Sequence, residues 1–220
     1  MKTILITGVS RGIGKAVAQR FLENGDFVIG TSTRGIVDLD GKNLKTFELD
    51  LSKPNSIKNC LNKIKKLNRK VDILINNAGI AVEDEAKKST IDTKYLRKTL
   101  EVNLIGTVHF TEKIIPLMNA GGHIINISSC DGSLEHAGYT LNYPSYRISK
   151  TAINMVTRIL SVRLKDKIKV SSVHTGWVKT DMGGDDADIE PKEAAEDIFK
   201  FANSSVKTGM FWFKGRKFPW

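Results

Sequence analysis

Short apolar runs alternate along the chain with longer stretches in which apolar residues recur at helical spacing. That alternation predicts an α/β architecture: a doubly wound parallel sheet covered by helices on both faces. Seven strands are predicted, over 3–7, 27–31, 44–48, 71–76, 123–128, 169–174 and 210–213, each rich in Val, Ile, Leu or aromatic residues. Helices fall between them. One spans 12–24 and closes before Gly25; the next spans 52–67, with Ser52 as N-cap, Pro54 in its first turn and Ile57, Leu61, Ile64 and Leu67 in a stripe toward the sheet. A long helical stretch over 92–118 is expected to bend or break near Gly106. A further helix over 146–165 carries Ile148, Ala152, Met155, Val156, Ile159 and Leu160 as its apolar face, and a shorter one over 191–202 opens at Pro191. Two successive βαβαβ units imply right-handed crossovers and a nucleotide crevice beyond the carboxyl ends of the strands.

Composition adds limits. With 220 residues, 40% hydrophobic and 26% charged, the chain suits one large domain, and no linker, repeat or low-complexity tract divides 1–220. The opening run Ile4-Leu5-Ile6 is cut off by Gly8, Arg11, Gly12 and Gly14. It is too short for a signal-peptide core or a membrane span, so the expectation is a cytoplasmic protein with no membrane partner. Cys60 and Cys130 have no paired spacing, and His109, His123, His136 and His174 are scattered, so neither a disulfide framework nor a metal site is expected. The net charge of +10 raises nucleic-acid binding, but the lysines (Lys58, Lys63, Lys65, Lys66, Lys87, Lys88, Lys98) are spread among helices without aromatic interleaving. A solvated lysine-rich surface that recruits an anionic cofactor or substrate is the favoured reading.

Two motifs carry chemistry. Gly8-Val9-Ser10-Arg11-Gly12-Ile13-Gly14 follows the first strand and opens the first helix. Its glycines meet the needs of a dinucleotide loop: a tight turn, close approach of backbone to pyrophosphate, and close packing of helix on strand, with the helix amino end holding the phosphates. Tyr146 and Lys150, four residues apart, share a helix face. A free phenol, with pKa ~10, is a poor acid at neutral pH, and a cation nearby is expected to pull that value down into the working range.

This loop, taken with Asn76-Asn77-Ala78-Gly79, Ser128-Ser129 and the Tyr146/Lys150 pair, resembles the classical short-chain dehydrogenase/reductase superfamily over nearly the whole chain. The resemblance implies a single Rossmann-fold domain, with Asn77, Ala78 and Gly79 on the adenosine side of a dinucleotide, Asp50 and Leu51 near the adenine, and Asn103 joining Ser129, Tyr146 and Lys150 in the catalytic group. Gly176, Val178 and Thr180 are implied on the nicotinamide side. The run 173–184 and the ending Gly215-Arg216-Lys217-Phe218-Pro219-Trp220 look like the sniffer-type carbonyl reductases and C-factor-like proteins. Two departures stand out. Thr175 replaces a usual proline, which frees the loop from a fixed φ. The interval from Ser129 to Tyr146 is wider than the family's, so 131–144 is expected to form an enlarged loop beside the substrate, offering Tyr139 and Tyr143 as contacts. Ser133 sits at the uninserted spacing and rivals Ser129.

Members that use NAD place an acid at the end of the second strand to hold the ribose hydroxyls. Here that segment reads Gly30-Thr31-Ser32-Thr33-Arg34, Asp38 and Asp40 lie too far along, and Arg11 and Arg34 suit a 2′-phosphate, so NADP(H) is the expected cofactor. The implied reaction is hydride transfer between nicotinamide and a carbonyl or alcohol. Tyr146 serves as acid/base, Lys150 lowers its pKa and binds the ribose, Ser129 bonds the carbonyl oxygen, and Asn103 anchors a water relay. Two alternatives stay open: a 3-oxoacyl-[acyl-carrier-protein] reductase, whose acidic partner suits the basic surface, and a dinucleotide-sensing protein without catalysis, which has no need of a proton donor. A homo-oligomer, dimer or tetramer, is expected through the apolar faces of the 92–118 and 146–165 helices.

Overall fold

A computed structural model describes residues 1–82, 85, 90–136 and 142–220. Eight strands form one sheet in the order β3-β2-β1-β4-β5-β6-β7-β8. They are β1 (Thr3–Thr7), β2 (Phe27–Ser32), β3 (Leu44–Glu48), β4 (Val71–Asn76), β5 (Met118–Ser128), β6 (Ile168–His174), β7 (Met210–Phe213) and β8 (Arg216–Lys217). All neighbours are parallel except β7 and β8. The expected seven strands thus become eight: Lys214 and Gly215, both at positive φ, make a two-residue hairpin that returns the chain against β7. Between β1 and β4 the strand order reverses, which opens the crevice at the carboxyl ends of the strands.

Helices α1 (Gly12–Glu23), α2 (Pro54–Lys65), α3 (Thr93–Leu100), α4 (Thr107–Ile114), α5 (Pro144–Arg163) and α6 (Pro191–Ala202) cover the sheet. In β1, Ile4 and Ile6 point to the layer of α1 and α6, where Val17, Phe21, Ile198 and Phe201 pack. Leu5 points the other way, to Ile57, Leu61 and Ile64 of α2 and Phe110 and Ile114 of α4. Both faces of the strand are therefore buried, which explains its unbroken apolar run.

The long 92–118 stretch breaks at Gly106 as expected. Glu101–Gly106 widens into a π-helical turn between α3 and α4. A Cβ on Gly106 would lie 2.0 Å from the Leu51 carbonyl oxygen, so only glycine lets the turn sit against the loop after β3. Such a widened turn commonly marks a functional position, and this one carries Asn103.

One sequence expectation changes at α2. Ser52 does not cap α2: the N-cap is Lys53, while the Ser52 hydroxyl donates to Asp50 Oδ1 at 2.6 Å. The apolar face expected on α5, and expected to serve an oligomer contact, lies mainly outside, with Ile148, Met155 and Ile159 exposed and Leu160 alone among the six fully buried. The inner face of α5 is polar instead. Thr157 receives a hydrogen bond from Asn126 of β5 at 2.8 Å and lies 2.8 Å from Ser172 Oγ of β6, and Asn154 donates to Gly132 O at 3.0 Å. A helix seated over strand ends by buried hydrogen bonds does not show an inward apolar period.

Candidate active site

A cleft of about 610 Å³ runs from the glycine loop to Tyr146 and Lys150. Its floor begins where β1 ends: Gly8 and Val9 both donate their amides to Thr31 O of β2, at 2.9 and 2.8 Å. Gly14 then packs so tightly that a Cβ would stand 2.1 Å from Gly8 O. Asn77 locks the turn from β4, its side-chain amide donating to Thr7 O and Gly8 O at 3.0 and 3.1 Å. Thr7 Oγ1 answers by accepting from the amides of Asn77 and Ala78 at 3.1 and 3.0 Å. The loop is thus held in shape by the protein itself, and Gly8, Ser10, Arg11, Gly12, Ile13, Gly14, Asp50, Leu51, Asn77, Ala78 and Gly79 all line the cleft. Sequence reasoning missed Thr7; its signal was the threonine at the end of β1.

The end of β2 contributes Ser32, Thr33, Arg34 and Ile36 to the wall and no carboxylate. Asp38 is turned to a separate groove, where its pairing with Lys15 at 2.7 Å holds its carboxyl below the usual range. Arg11 reaches across the mouth to Asp181, 2.7 Å away, in a largely exposed pair. Exposed pairs of this kind contribute about 1 kcal/mol or less, so Arg11 is cheaply released to another anion.

At the catalytic end, α5 begins at Pro144 with Tyr143 in the left-handed region (φ 53°), two residues earlier than expected, and carries Tyr146 and Lys150 one turn apart. Lys150 is buried, donates from Nζ to Ile127 O at 2.8 Å and lies 5.3 Å from the centre of the Tyr146 ring. Burial lowers its pKa to about 8. Tyr146 departs from expectation. Packing around the half-buried phenol and the charge of Asp131 push its pKa above the ordinary value, while a hydrogen bond with Ser129 pulls it down. Desolvation outweighs the help expected from Lys150.

Ser129, at the end of β5, therefore meets Tyr146. Its rival Ser133 is fully buried and accepts from the His136 amide at 2.9 Å in a local turn. Asn103 Oδ1 accepts from Ile80 N at 2.8 Å, and its Nδ2 donates to Ile80 O at 2.8 Å and to Ser149 Oγ at 3.0 Å. Both ends of its amide are engaged, which ties the segment after β4 to α5.

The segment after β6 is mixed. Thr175, Thr180, Asp181 and Met182 line the cleft, whereas Val178 is buried with Ile13, Ile189 and Ala194, and Gly176 backs onto Ile189. Thr180 Oγ1 is occupied with Val178 O and Gly183 N, so the side chain expected to meet the nicotinamide caps its own turn here. The missing proline at 175 is compensated by His174: its Nδ1 accepts from Gly176 N at 3.3 Å, and its ring stacks on Phe213 and tilts against Phe218. Of the expected substrate contacts, Tyr139 lies outside the described residues, and Tyr143 donates its amide to Glu85 O at 3.3 Å. Among the described residues no cluster suited to a metal ion occurs, and no helix is long and apolar enough to cross a membrane.

The short chain dehydrogenase family matches residues 2–190. The 3-oxoacyl-[acyl-carrier-protein] reductase FabG of Vibrio cholerae is 32% identical over 82% of this chain and 75% of its own length. Among solved structures, the carbonyl reductase Sniffer of D. melanogaster superposes with a TM-score of 0.88 at 26% identity, covering all of both chains. An NADPH-bound carbonyl reductase from chicken fatty liver does so at 0.88 and 28% identity, over 100% of this chain and 99% of its own. The chain belongs to the short-chain dehydrogenase/reductase family of oxidoreductases.

Proposed function

We propose that the protein, acting as one dinucleotide-binding domain over 1–220, is an NADP(H)-dependent reductase of small-molecule carbonyl compounds. The observation that carries the reading is the continuity of a braced phosphate cradle, with no carboxylate at the end of β2, with Tyr146 and Lys150 in a single cleft, Ser129 being hydrogen-bonded to Tyr146. The cradle fits the dinucleotide, because Gly14, having no Cβ, lets α1 pack directly against Gly8, and the amino end of α1 faces the cleft. Arg11 and Arg34 are the residues for the 2′-phosphate, with Arg11 leaving Asp181 to reach it. The carbonyl reductase from chicken, whose structure holds NADPH, supports that choice. When bound, NADPH supplies the hydride.

The chain's own part is proton delivery and orientation. Tyr146, protonated at neutral pH because its pKa is raised, donates to the carbonyl oxygen as negative charge develops there. Ser129 donates a hydrogen bond to the same oxygen. Lys150, with a pKa near 8, carries its charge at pH 7 and stabilises the phenolate left behind. Asn103 holds the Ile80 peptide and Ser149 in register with this group, and any water relay there runs through atoms other than its occupied amide.

The likeness to FabG and the net charge of +10 favour carrier-bound 3-oxoacyl thioesters as the second reading. A panel of aldehydes, ketones and 3-oxoacyl thioesters, followed by NADPH and NADH absorbance, separates the two. Turnover of free ketones with NADPH supports the first; saturation only with carrier-bound substrate supports the second; no turnover with any of them sinks both in favour of a sensor. The exposed Ile148, Met155, Ile159 and Val162 of α5, with Ile105 nearby in sequence to α4, are the surface for a homodimer or homotetramer in the cytoplasm. Light scattering of wild type and a Met155→Glu variant checks it.

A further inference from the structure

An ion pair lies beside the proton donor. Asp131 follows Ser129 by two positions, in a short 3₁₀ turn (Cys130–Gly132), and Arg147 follows Tyr146 directly on α5. Arg147 approaches Asp131 Oδ1 at 2.7 Å, and its Nε donates to Asn142 O at 2.8 Å. Their side chains are only 18% and 33% exposed, so solvent screens the pair poorly. The other carboxylate oxygen, Oδ2, stands 3.4 Å from Ser129 Oγ, which also accepts from the Asp131 amide at 3.2 Å.

These distances describe a competition. Ser129 has one hydroxyl proton. If that proton turns to Asp131, the serine offers a substrate carbonyl only lone pairs. The guanidinium contact is short and charge-assisted, whereas the serine contact is long and weak, so the carboxylate is satisfied by Arg147 first. We propose that Arg147 is a positioning residue: by engaging Asp131 it keeps the Ser129 hydroxyl proton free for the carbonyl oxygen and removes an uncompensated negative charge from beside Tyr146. Lys150 does not do this, because its Nζ donates to Ile127 O. The other titratable neighbours are Cys130, in the same turn, and Glu85, which accepts from Ser145 Oγ at 2.6 Å at the start of α5.

The inference rests on the reductase reading for its kinetic part, and Cys130 provides a second part independent of activity. Burial and the Asp131 charge raise the Cys130 thiol pKa, and Arg147 lowers it, so this thiol reports the pair directly. Cys60 is buried and its thiol is pushed up to about 12, which keeps it silent.

The test uses Arg147→Met, Asp131→Asn and the double variant. Arg147→Met is expected to lower kcat for ketone reduction by about 10- to 100-fold, less than the roughly 10²- to 10³-fold for deleting a hydrogen-bond donor to the reacting oxygen outright. Asp131→Asn in the same chain is expected to restore most of that loss, and Arg147→Lys is expected to fall between. Iodoacetamide should alkylate Cys130 more slowly in Arg147→Met and faster in Asp131→Asn than in wild type. If Arg147 merely staples the loop through Asn142, the double variant stays as slow as the single one, and that result overturns the proposal. Alkylation rates equal in all variants also overturn it. A wild type that reduces no carbonyl breaks the reductase reading while leaving the alkylation comparison to decide the pair.

Discussion

The two ends of the cleft are built on different principles. At the dinucleotide end, backbone meets backbone: Gly14 against Gly8 O, two amides on Thr31 O, and Asn77 clamped on Thr7 and Gly8. At the catalytic end, side chains hold one another through charge and rings: Asp131 with Arg147, Glu85 with Ser145, and His174 between Phe213 and Phe218. The first kind of order tolerates almost no substitution and depends little on pH. The second tolerates redesign of the loop, since what counts is where charge and hydrogen are placed.

The sharpest contrast comes from one atom at the catalytic end. Tyr146→Phe removes the proton donor, and NADPH-dependent turnover is expected to fall about 10²- to 10⁴-fold with NADPH binding retained, as read by fluorescence titration. Gly14→Ala tests the opposite end. With a Cβ 2.1 Å from a carbonyl oxygen, the loop must move, and destabilisation of about 1–3 kcal/mol by denaturant titration is expected with a loss of dinucleotide affinity. An unchanged affinity would show that the cradle is less rigid than its contacts indicate.

Smaller effects refine the comparison. Replacing Arg11 and Arg34 together by Ala is expected to raise KM for NADPH about tenfold, the loss of one or two charge-assisted bonds, with KM for NADH nearly unmoved. A parallel rise in both constants would place these arginines elsewhere than at the 2′-phosphate.

Acid stability probes the sheet beneath both ends. His123 is buried on β5, with Nε2 2.9 Å from Ser171 Oγ, and burial lowers its pKa to about 3; that of His174 falls to about 4. The unfolded chain binds these protons near pH 6.5 while the folded one refuses them, so stability is full above that pH and declines as pH falls toward 4. For His123 the slope is about 1.4 kcal/mol per pH unit within the window. In thermal melts across pH 7 to 4, with any difference at pH 7 subtracted, wild type should lose stability faster than His123→Gln as the pH drops.

The dinucleotide end was legible because its requirements are local. A glycine pattern between an apolar run and a helix, and a strand end without an acid, encode the turn and the charge preference in consecutive residues. The break at Gly106 was legible for the same reason. The hairpin at Lys214 and Gly215 was missed because two residues of β8 carry no period, and the inner face of α5 gave no signal because its contacts are buried hydrogen bonds to Asn126 and Ser172.

The sequence by itself determined the α/β order, the glycine loop, the Tyr146/Lys150 pair and the bend in the long helix, since each depends on spacing along a single element. Tertiary structure decided which serine meets Tyr146, where Arg11 and Arg147 find their partners, and whether the phenol is pulled toward ionisation or away from it. Those outcomes depend on burial and on charges brought together from distant parts of the chain, and desolvation beside Asp131 outweighs a lysine one turn away.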